Sequence, residues 1–193
     1  MGKCLQMGPC LVLMMAGCTP DRASVSLNVR QVKGSHRTLT VNDLIPIGEL
    51  RLKKKLDERL DAYVKLQYIQ GELAARHPIA NGDAGGQLMG GGLGLDYFPW
   101  PHKRWLGLEL GAEFFSADYE MRGRWGPIKL VEPDRLWGAG LNLGLVGEIP
   151  LGQSERWRVI WGAGYNLTET NARRARVDLG GWYGLVGLEI SLK

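Results

Sequence analysis

The chain has 193 residues, of which 45% are hydrophobic, and this size fits one folded domain. Its net charge of +4 comes from 24 basic and 20 acidic side chains, a mild excess that does not predict nucleic-acid binding. No run approaches 18 consecutive apolar residues, which argues against a transmembrane helix. Glycine is the outlier, because its 28 residues are about twice the usual share of roughly 7%.

The N-terminus has the features of a signal peptide. Lys3 precedes the apolar residues 11–16, a stretch that is too short to span a bilayer. The stretch ends in Met-Ala-Gly-Cys, and small residues before a cysteine resemble a bacterial lipobox, in which the cysteine becomes the lipidated N-terminus. We therefore interpret residues 1–17 as a lipoprotein-like signal peptide, Cys18 as the lipidation site and residues 18–23 as a linker. An ordinary signal peptide is the alternative.

From residue 24 onward, apolar and polar residues alternate with the period of two that is typical of β-strands. The first four predicted strands are residues 24–32, 48–56, 60–71 and 88–98. Residues 33–47 have the weakest pattern, because Pro46 and an expected bulge at Gly48 disturb the register.

The fifth predicted strand is WLGLELGAEFF, residues 105–115. Leucine, alanine and phenylalanine occupy one face of this strand, and glycine and glutamate occupy the other. The remaining strands are residues 137–149, 157–167 and 182–192, which gives eight in total.

The connections alternate in length along the chain. Those near residues 57–60, 99–104 and 150–156 are short, and those near 72–87, 116–135 and 168–180 are long and polar. An up-and-down barrel with one short-turn end and one long-loop end has this order, and transmembrane barrels combine short periplasmic turns with longer external loops. The predicted fold is therefore all-β, an eight-stranded antiparallel up-and-down transmembrane β-barrel over residues 24–193.

Strand length, the composition of the second face and tryptophan position favour lipid as the neighbour of the apolar face. The runs match the 9–11 residues of a tilted membrane strand, whereas soluble strands cluster near 5–6. We predict these residues to face lipid: Leu106, Leu108, Leu110, Phe114, Leu141, Leu143, Leu188 and Ile190. Four tryptophans near strand ends are predicted to form interfacial girdles: Trp105, Trp137, Trp157 and Trp182.

The glycine-rich face also carries isolated charges, which would have to find partners inside a narrow barrel. We predict an internal charge network that includes Glu109, Glu113, Glu148, Arg158, Glu189, Arg51 and Lys65.

These features together resemble the small eight-stranded outer-membrane barrels of Gram-negative bacteria, the OmpA-, OmpX- and opacity-protein class. The final strand, WYGLVGLEISLK, is similar to the carboxy-terminal signal that the outer-membrane assembly machinery reads. Gly187, Ile190 and Leu192 match that signal, and Lys193 stands where an aromatic residue is usual. The resemblance implies an outer-membrane location, with outer-membrane lipid, lipopolysaccharide and the assembly machinery as partners.

The sequence offers little support for catalysis. His36, His77 and His102 fall in predicted loops or turns without metal-ligand spacing, and no metal or cofactor is expected. Some barrels of this class are lipid A-modifying enzymes that use histidine and serine, so His36 or His77 with Ser35 or Ser116 remains an alternative. Arg173, Arg174 and Arg176 in the last long loop are candidates to contact lipopolysaccharide phosphates.

We therefore predict a non-enzymatic outer-membrane barrel with a structural or surface-interaction role, whose host or ligand partner is unknown. The alternative from another class is a lipid-anchored periplasmic barrel that binds a small apolar ligand, as lipocalins do. In that case Leu106, Leu108 and Leu110 would face inward, and the glutamates between them would face water.

Replacing Leu108 with arginine separates these two hypotheses. On a lipid face, Leu108→Arg should oppose membrane insertion by about 2–4 kcal/mol. In a soluble core, the same change should unfold a protein that was never in the membrane. Gel migration of unboiled and boiled membrane fractions is the measurement, and a soluble wild-type protein without a heat-dependent shift would contradict the barrel prediction.

Overall fold

A computed structural model of the chain describes residues 19–36, 39–76, 81–125, 128–152, 156–172, 176–178 and 180–192. These ranges contain the strand segments β1 (Arg22–His36), β2 (Leu39–Lys55), β3 (Leu60–Arg76), β4 (Asn81–Tyr97), β5 (Gly107–Trp125), β6 (Ile128–Leu151), β7 (Trp157–Ala172), β8 (Arg176–Asp178) and β9 (Gly181–Ser191). In the described ranges, no helix is long and apolar enough to cross a membrane. The predicted signal peptide and Cys18 lie outside them.

The strands form one antiparallel sheet that closes on itself. Each strand from β1 to β7 pairs with the next along the chain, β7 pairs with β9, and β9 pairs with β1. The short β8 also pairs with β1, beyond the end of β9, so β8 and β9 are two segments of one barrel strand. The prediction of a closed eight-stranded antiparallel barrel is confirmed.

The pairing register determines how far the strands tilt. One row of paired residues runs round the wall through Gly138, Phe115, Gly90, Gln67, Glu49, Ser26, Gly187, Ile160 and Glu148. Gly138 and Glu148 both lie on β6, so the row closes with a stagger of ten residues. For eight strands, this stagger corresponds to a tilt of about 40° from the barrel axis.

Successive side chains point to opposite sides of the wall, as they must on a β-strand. On β1, Val25 is 67% exposed outside the barrel, whereas Ser24 and Ser26 are buried inside. On β6, Leu143 is 63% exposed and its neighbour Asn142 is 2% exposed. The apolar face therefore looks outward and the polar face looks inward, which is the reverse of a soluble barrel.

The segments predicted as long connections are largely strand, and that part of the sequence interpretation was wrong. Residues 72–76 and 81–87 continue β3 and β4, residues 116–125 and 128–135 continue β5 and β6, and residues 168–172 continue β7. Strand pairing uses backbone N–H and C=O groups, which a polar sequence supplies as well as an apolar one. The hairpins therefore extend past the apolar part of each strand.

Residues 33–36 and 39–47 also belong to strands. The ladder between β1 and β2 keeps one register from Arg22 opposite Lys53 to His36 opposite Leu39, without the bulge expected at Gly48. The pairs given on the other side of β2 also keep one register, from Thr40 opposite Arg76 to Lys55 opposite Asp61.

Glycines on the inner wall make room for aromatic side chains that point inward. A β-carbon added at Gly94 or Gly111 would come within 3 Å of the Tyr63 hydroxyl oxygen. One added at Gly144 or Gly164 would meet the Tyr183 hydroxyl oxygen in the same way. The high glycine content therefore has a steric cause, which is the narrow interior of an eight-stranded barrel.

Replacing Gly144 with alanine tests this packing. The new β-carbon would lie 2.8 Å from the backbone oxygen of Ala163 and closer still to Tyr183, so we expect a loss of about 1–3 kcal/mol in the free energy of unfolding. Urea unfolding in detergent micelles measures the loss. Gly184→Ala is the matched control, because nothing lies within 4 Å of its β-carbon position. Equal stabilities of the two variants would contradict this account.

Candidate functional site

The outer wall carries a belt of exposed apolar side chains. Six residues predicted to face lipid are at least half exposed there: Leu108, Leu110, Phe114, Leu141, Leu143 and Leu188. Two others, Leu106 before β5 and Ile190 near the end of β9, are only partly exposed. Exposing such a surface to water is unfavourable. An apolar patch of this extent on a monomer marks contact with lipid or protein.

Tryptophans lie at both edges of the belt. Trp105 and Trp157 are exposed at the short-turn end, where the Trp105 ring is parallel to that of Trp100 with ring centres 6.4 Å apart. Trp137 and Trp182 are exposed toward the other end, and the Trp182 ring makes an edge contact with Tyr165. All four predicted girdle residues are therefore on the outer surface, as two rings of aromatic side chains at a membrane would require.

The height of the belt fits a bilayer. On β9 and the residue after it, the outward side chains are apolar from Trp182 to Leu192. Ten residues span about 33 Å along a strand, which becomes roughly 25 Å along the barrel axis at a tilt of about 40°. Transmembrane barrels have an apolar band of about this height.

The interior at the short-turn end contains a group of charges that we call the base cluster: Arg22, Lys53, Asp61, Asp96, Arg104, Glu148, Arg158 and Glu189. Arg22 Nη1 donates to Glu148 at 2.8 Å and to Glu189 at 2.9 Å. Lys53 Nζ lies 3.1 Å from an Asp96 oxygen and 3.2 Å from Glu148 and Glu189 oxygens. The base cluster ties β1, β2, β3, β4, β6, β7 and β9 together across the barrel.

Arg104 bounds the base cluster on the side of the short turns. It belongs to the turn between β4 and β5, and its guanidinium group pairs with Asp61 and Glu148. The same group lies 3.8 Å from the centre of the Phe98 ring, a cation–π contact. The turn is thereby fixed to the barrel interior.

Glu109 is the centre of the middle layer. Its carboxylate accepts hydrogen bonds from Tyr63 Oη at 2.7 Å, Tyr183 Oη at 3.1 Å and Asn142 Nδ2 at 3.1 Å. Arg51 Nη2 lies 3.0 Å from the same carboxylate and also pairs through Nε with Glu49. A buried carboxylate needs this many partners, because an unpaired buried charge is costly.

Glu113 organises the layer nearest the external end. Arg30 donates to it through both terminal nitrogens, at 2.6 and 3.0 Å, in the two-point geometry that suits arginine and carboxylate. Lys65 Nζ lies 3.0 Å from the same carboxylate, and Asn166 Nδ2 also donates to it. Nearby, Gln67 donates to Glu49 at 2.7 Å.

The charges described inside the barrel balance. Seven are basic and seven are acidic: Arg22, Arg30, Arg51, Lys53, Lys65, Arg104 and Arg158 against Glu49, Asp61, Asp96, Glu109, Glu113, Glu148 and Glu189. Most of these side chains are almost inaccessible to solvent. Chemically, this arrangement can hold the wall together.

All seven residues of the predicted internal network lie in this interior. Sequence reasoning missed others that join it: Arg22, Arg30, Asp61, Tyr63, Asp96, Arg104, Asn142, Asn166 and Tyr183. Strand alternation could have found seven of these nine residues, because those seven occupy inward positions of predicted strands. Arg22 and Arg104 lie outside the predicted strands, so no periodic signal marked them.

The lipocalin-like alternative requires an apolar interior. The structure places Leu108 and Leu110 outside and buries Glu109 and Glu113 inside, so it does not support that arrangement.

The residues considered for catalysis and for lipopolysaccharide contact lie partly outside the described part of the chain. His102 is exposed in the turn between β4 and β5, and His77, Arg173 and Arg174 lie outside the described residues. The backbone of Arg176 lies in β8 opposite Ser35. In the described ranges, no three histidine, cysteine or acidic residues are grouped to hold a metal ion. The expectations about catalysis and lipopolysaccharide stay predictions.

No protein-family model matches the sequence, and no curated protein sequence matches it either. Among solved structures, CarO of Acinetobacter baumannii is similar with a TM-score of 0.48 and 13% identity, over 90% of this chain and 98% of that one. Ail, the attachment invasion locus protein of Yersinia pestis, is similar with a TM-score of 0.48 and 9% identity, over 89% and 100% of the two chains. Neisserial surface protein A scores 0.43 at 11% identity, over 88% and 97%.

These likenesses concern the overall fold alone, and the assignment depends on the closed wall, the apolar belt and the two aromatic girdles of this chain. A closed barrel is one of the two structures that can satisfy all backbone groups within a bilayer. The chain folds as a small closed β-barrel whose outer surface suits a membrane. The predicted fold class is confirmed, and the outer-membrane location stays a prediction.

Removing one member of the interior network should destabilise the barrel strongly. Glu113→Ala leaves Arg30 and Lys65 without the carboxylate they share, and we expect a loss of about 3–5 kcal/mol in the free energy of unfolding. Urea titration of refolded protein in lipid vesicles measures it. Lys54→Ala is the control, because it breaks only more exposed contacts, with Asp21 and with the backbone oxygen of Thr19, and should cost at most about 1 kcal/mol. Comparable losses would contradict the structural role of the network.

Proposed function

We propose that this outer-membrane barrel is a non-enzymatic anchor for an external β-sheet, through which the cell surface interacts with an extended segment of another protein. The observation that carries the proposal is the continuation of β3, β4, β5 and β6 beyond the apolar belt. The partner needs only an extended backbone, because the interaction would use backbone hydrogen bonds.

The continuation starts where the belt ends. Met89 pairs with Ser116, and Ser116 pairs with Trp137 of the outer girdle. Beyond this level, β4 and β5 form eight further pairs, from Leu88 opposite Ala117 to Asn81 opposite Arg124. Eight residues correspond to about 26 Å along the strands. We call this four-stranded part of β3 to β6 the extension sheet.

The position of the extension sheet supports an external role. Transmembrane barrels keep short turns on the periplasmic side and longer connections outside. Here the turns that join β2 to β3 and β4 to β5 are short, and the extended hairpins lie at the opposite end. Gln87 and Asp118, the first outward residues past the belt, are exposed and polar, as expected for a sheet that leaves the bilayer.

One edge of the extension sheet has no neighbouring strand among the described residues. β6 pairs with β5 from Ile128 onward, but its ladder to β7 begins only at Leu136 opposite Ala172. An unpaired strand edge is a template for another extended chain. Pro133 interrupts this edge, so the stretch that offers regular pairing is 128–132.

The resemblance to outer-membrane barrels adds two partners to the proposal. The assembly machinery would recognise β9, whose final residues match its signal except at Lys193. Lipopolysaccharide phosphates would be contacted by Arg173, Arg174 and Arg176. A lipid A-modifying activity that uses His36 or His77 is the alternative, and unchanged lipid A in cells that express the protein would remove it.

Proline substitutions at two consecutive residues test the free edge. The N–H groups of neighbouring residues point to opposite sides of a strand. One of the two variants Leu130→Pro and Val131→Pro therefore removes a donor of the free edge, and the other removes a donor to β5. Short peptides displayed on phage would be selected for binding to the wild-type barrel in lipid nanodiscs. We expect the selected peptides to lose binding to the variant that removes the free donor, while its barrel still shows heat-dependent gel migration.

The second proline variant is the matched control, because it removes a hydrogen bond to β5 instead. It should loosen the hairpin, which protease digestion of intact cells would detect. Selected peptides that bind both variants and the wild type equally would contradict the proposed use of the β6 edge.

A further inference from the structure

The end of the extension sheet farthest from the belt is rich in basic residues. Arg76 on β3 pairs with Asn81 on β4, Asn81 pairs with Arg124 on β5, and Arg124 pairs with Lys129 on β6. We call Arg76, Arg124 and Lys129 the basic row. Arg76 is distant from the other two residues in the sequence, and only the strand register brings the three onto one line across the sheet.

The basic row occupies the outer face of the extension sheet. Arg124 follows the outward, exposed Asp118 by six residues, and Asn81 precedes the outward, exposed Gln87 by six. The ladder between β4 and β5 is continuous over this stretch. An even number of residues along a strand returns to the same face. The row therefore lies on the same face as Asp118 and Gln87.

Within the basic row, residues of the same charge are directly opposite each other. Arg124 and Lys129 form one cross-strand pair, and the β-carbons of such a pair are about 5 Å apart. Like charges in this arrangement destabilise a sheet. Asn81, the remaining member of the line, is uncharged, so the line itself contains no counter-charge. A bound anion would relieve the repulsion.

The acidic residues of the outer face lie nearer the belt. This face of the extension sheet has five basic and four acidic residues: Arg76, Arg122, Arg124, Lys129 and Arg135 against Glu72, Asp83, Asp118 and Glu120. Arg122 is opposite Asp83, and Arg135 is opposite Asp118. The connections 77–80 and 126–127 contain no aspartate or glutamate. Positive charge is thus concentrated at the end of the sheet, while the face as a whole is nearly balanced.

The height of the basic row determines which anions it can reach. The pair of Asn81 and Arg124 is the eighth beyond the belt, which corresponds to about 26 Å along the strands. At a tilt of about 40° this becomes roughly 20 Å along the barrel axis. Lipid headgroups lie beside the aromatic girdle, and an arginine or lysine side chain is too short to reach back to them. An anion on the basic row therefore comes from the space outside the membrane.

The spacing of the basic row favours a polysaccharide. Neighbouring strands are about 4.8 Å apart, which is close to the length of one sugar unit in a chain. Residues on one side of an extended acidic peptide are about 6.6 Å apart and do not match this spacing. No aromatic residue occupies the outer face of the extension sheet, so it lacks the stacking platform that single-stranded nucleic acids use.

We propose that the basic row binds an external polysaccharide that carries sulfate or phosphate groups. The sugar chain would lie across β3 to β6, with anionic groups at Arg76, Arg124 and Lys129. Arginine suits such groups, because its planar guanidinium can donate two parallel hydrogen bonds to one oxyanion. The site rests on the external position of the extension sheet, as the proposed function does, but it does not use the free backbone edge of β6. Polysaccharide binding and peptide binding can therefore fail separately.

Binding of dextran sulfate to the full chain in phosphatidylcholine nanodiscs tests the proposal, with uncharged dextran as the ligand control. We expect only dextran sulfate to bind, as measured by biolayer interferometry. Arg124→Gln should weaken the binding several-fold. Arg135→Gln is the matched control and should leave it nearly unchanged, because it removes the same charge from the same face but from a position opposite Asp118. If Arg124→Gln lacks the heat-dependent gel migration of a folded barrel, Lys129→Gln takes its place in the comparison.

Equal weakening by Arg124→Gln and Arg135→Gln would assign the binding to overall charge and overturn the proposal. Equal binding of dextran and dextran sulfate to the wild type would also overturn it. A second set of nanodiscs contains lipopolysaccharide, and we expect dextran sulfate to bind there as well. Complete loss would mean that the saccharide of the surrounding lipid occupies the basic row, which contradicts an external ligand. Tighter binding of a single-stranded oligonucleotide than of dextran sulfate would reject the assignment to polysaccharide.

Discussion

Within a bilayer, no water is available to the peptide groups of a protein, so the wall itself must supply a partner for each N–H and C=O. This constraint closes the sheet between β1 and β9 and requires one consistent register round eight strands. Closure with a stagger of ten residues then sets the width of the interior. That width admits rings such as Tyr63 and Tyr183 only where glycines lie opposite them.

The narrow interior explains why the charges occur as a network. A side chain that points inward cannot reach water, so its charge must be matched inside. Arg22, Lys53 and their carboxylate partners satisfy this requirement at the short-turn end, and Arg30 with Glu113 does so near the other end. Networks of this kind hold the strands together.

Outside the bilayer, the constraint on the backbone is relaxed because water can satisfy unpaired groups. There, β6 has a strand edge without a described neighbour at 128–135, and the hairpins extend far beyond the girdle. The proposed interaction site is thus a place where a described strand has no described neighbour.

The alternation of Leu108, Glu109 and Leu110 determined by itself that one face of the strand is apolar, and glycine content together with tryptophan spacing indicated which face meets lipid. The period of two is a local property of the backbone, so sequence alone could reveal it. Partners such as Arg22 with Glu148, 126 residues apart, follow only from the register round the barrel. The extended hairpins were also decided by tertiary structure, because backbone pairing leaves no mark in side-chain polarity.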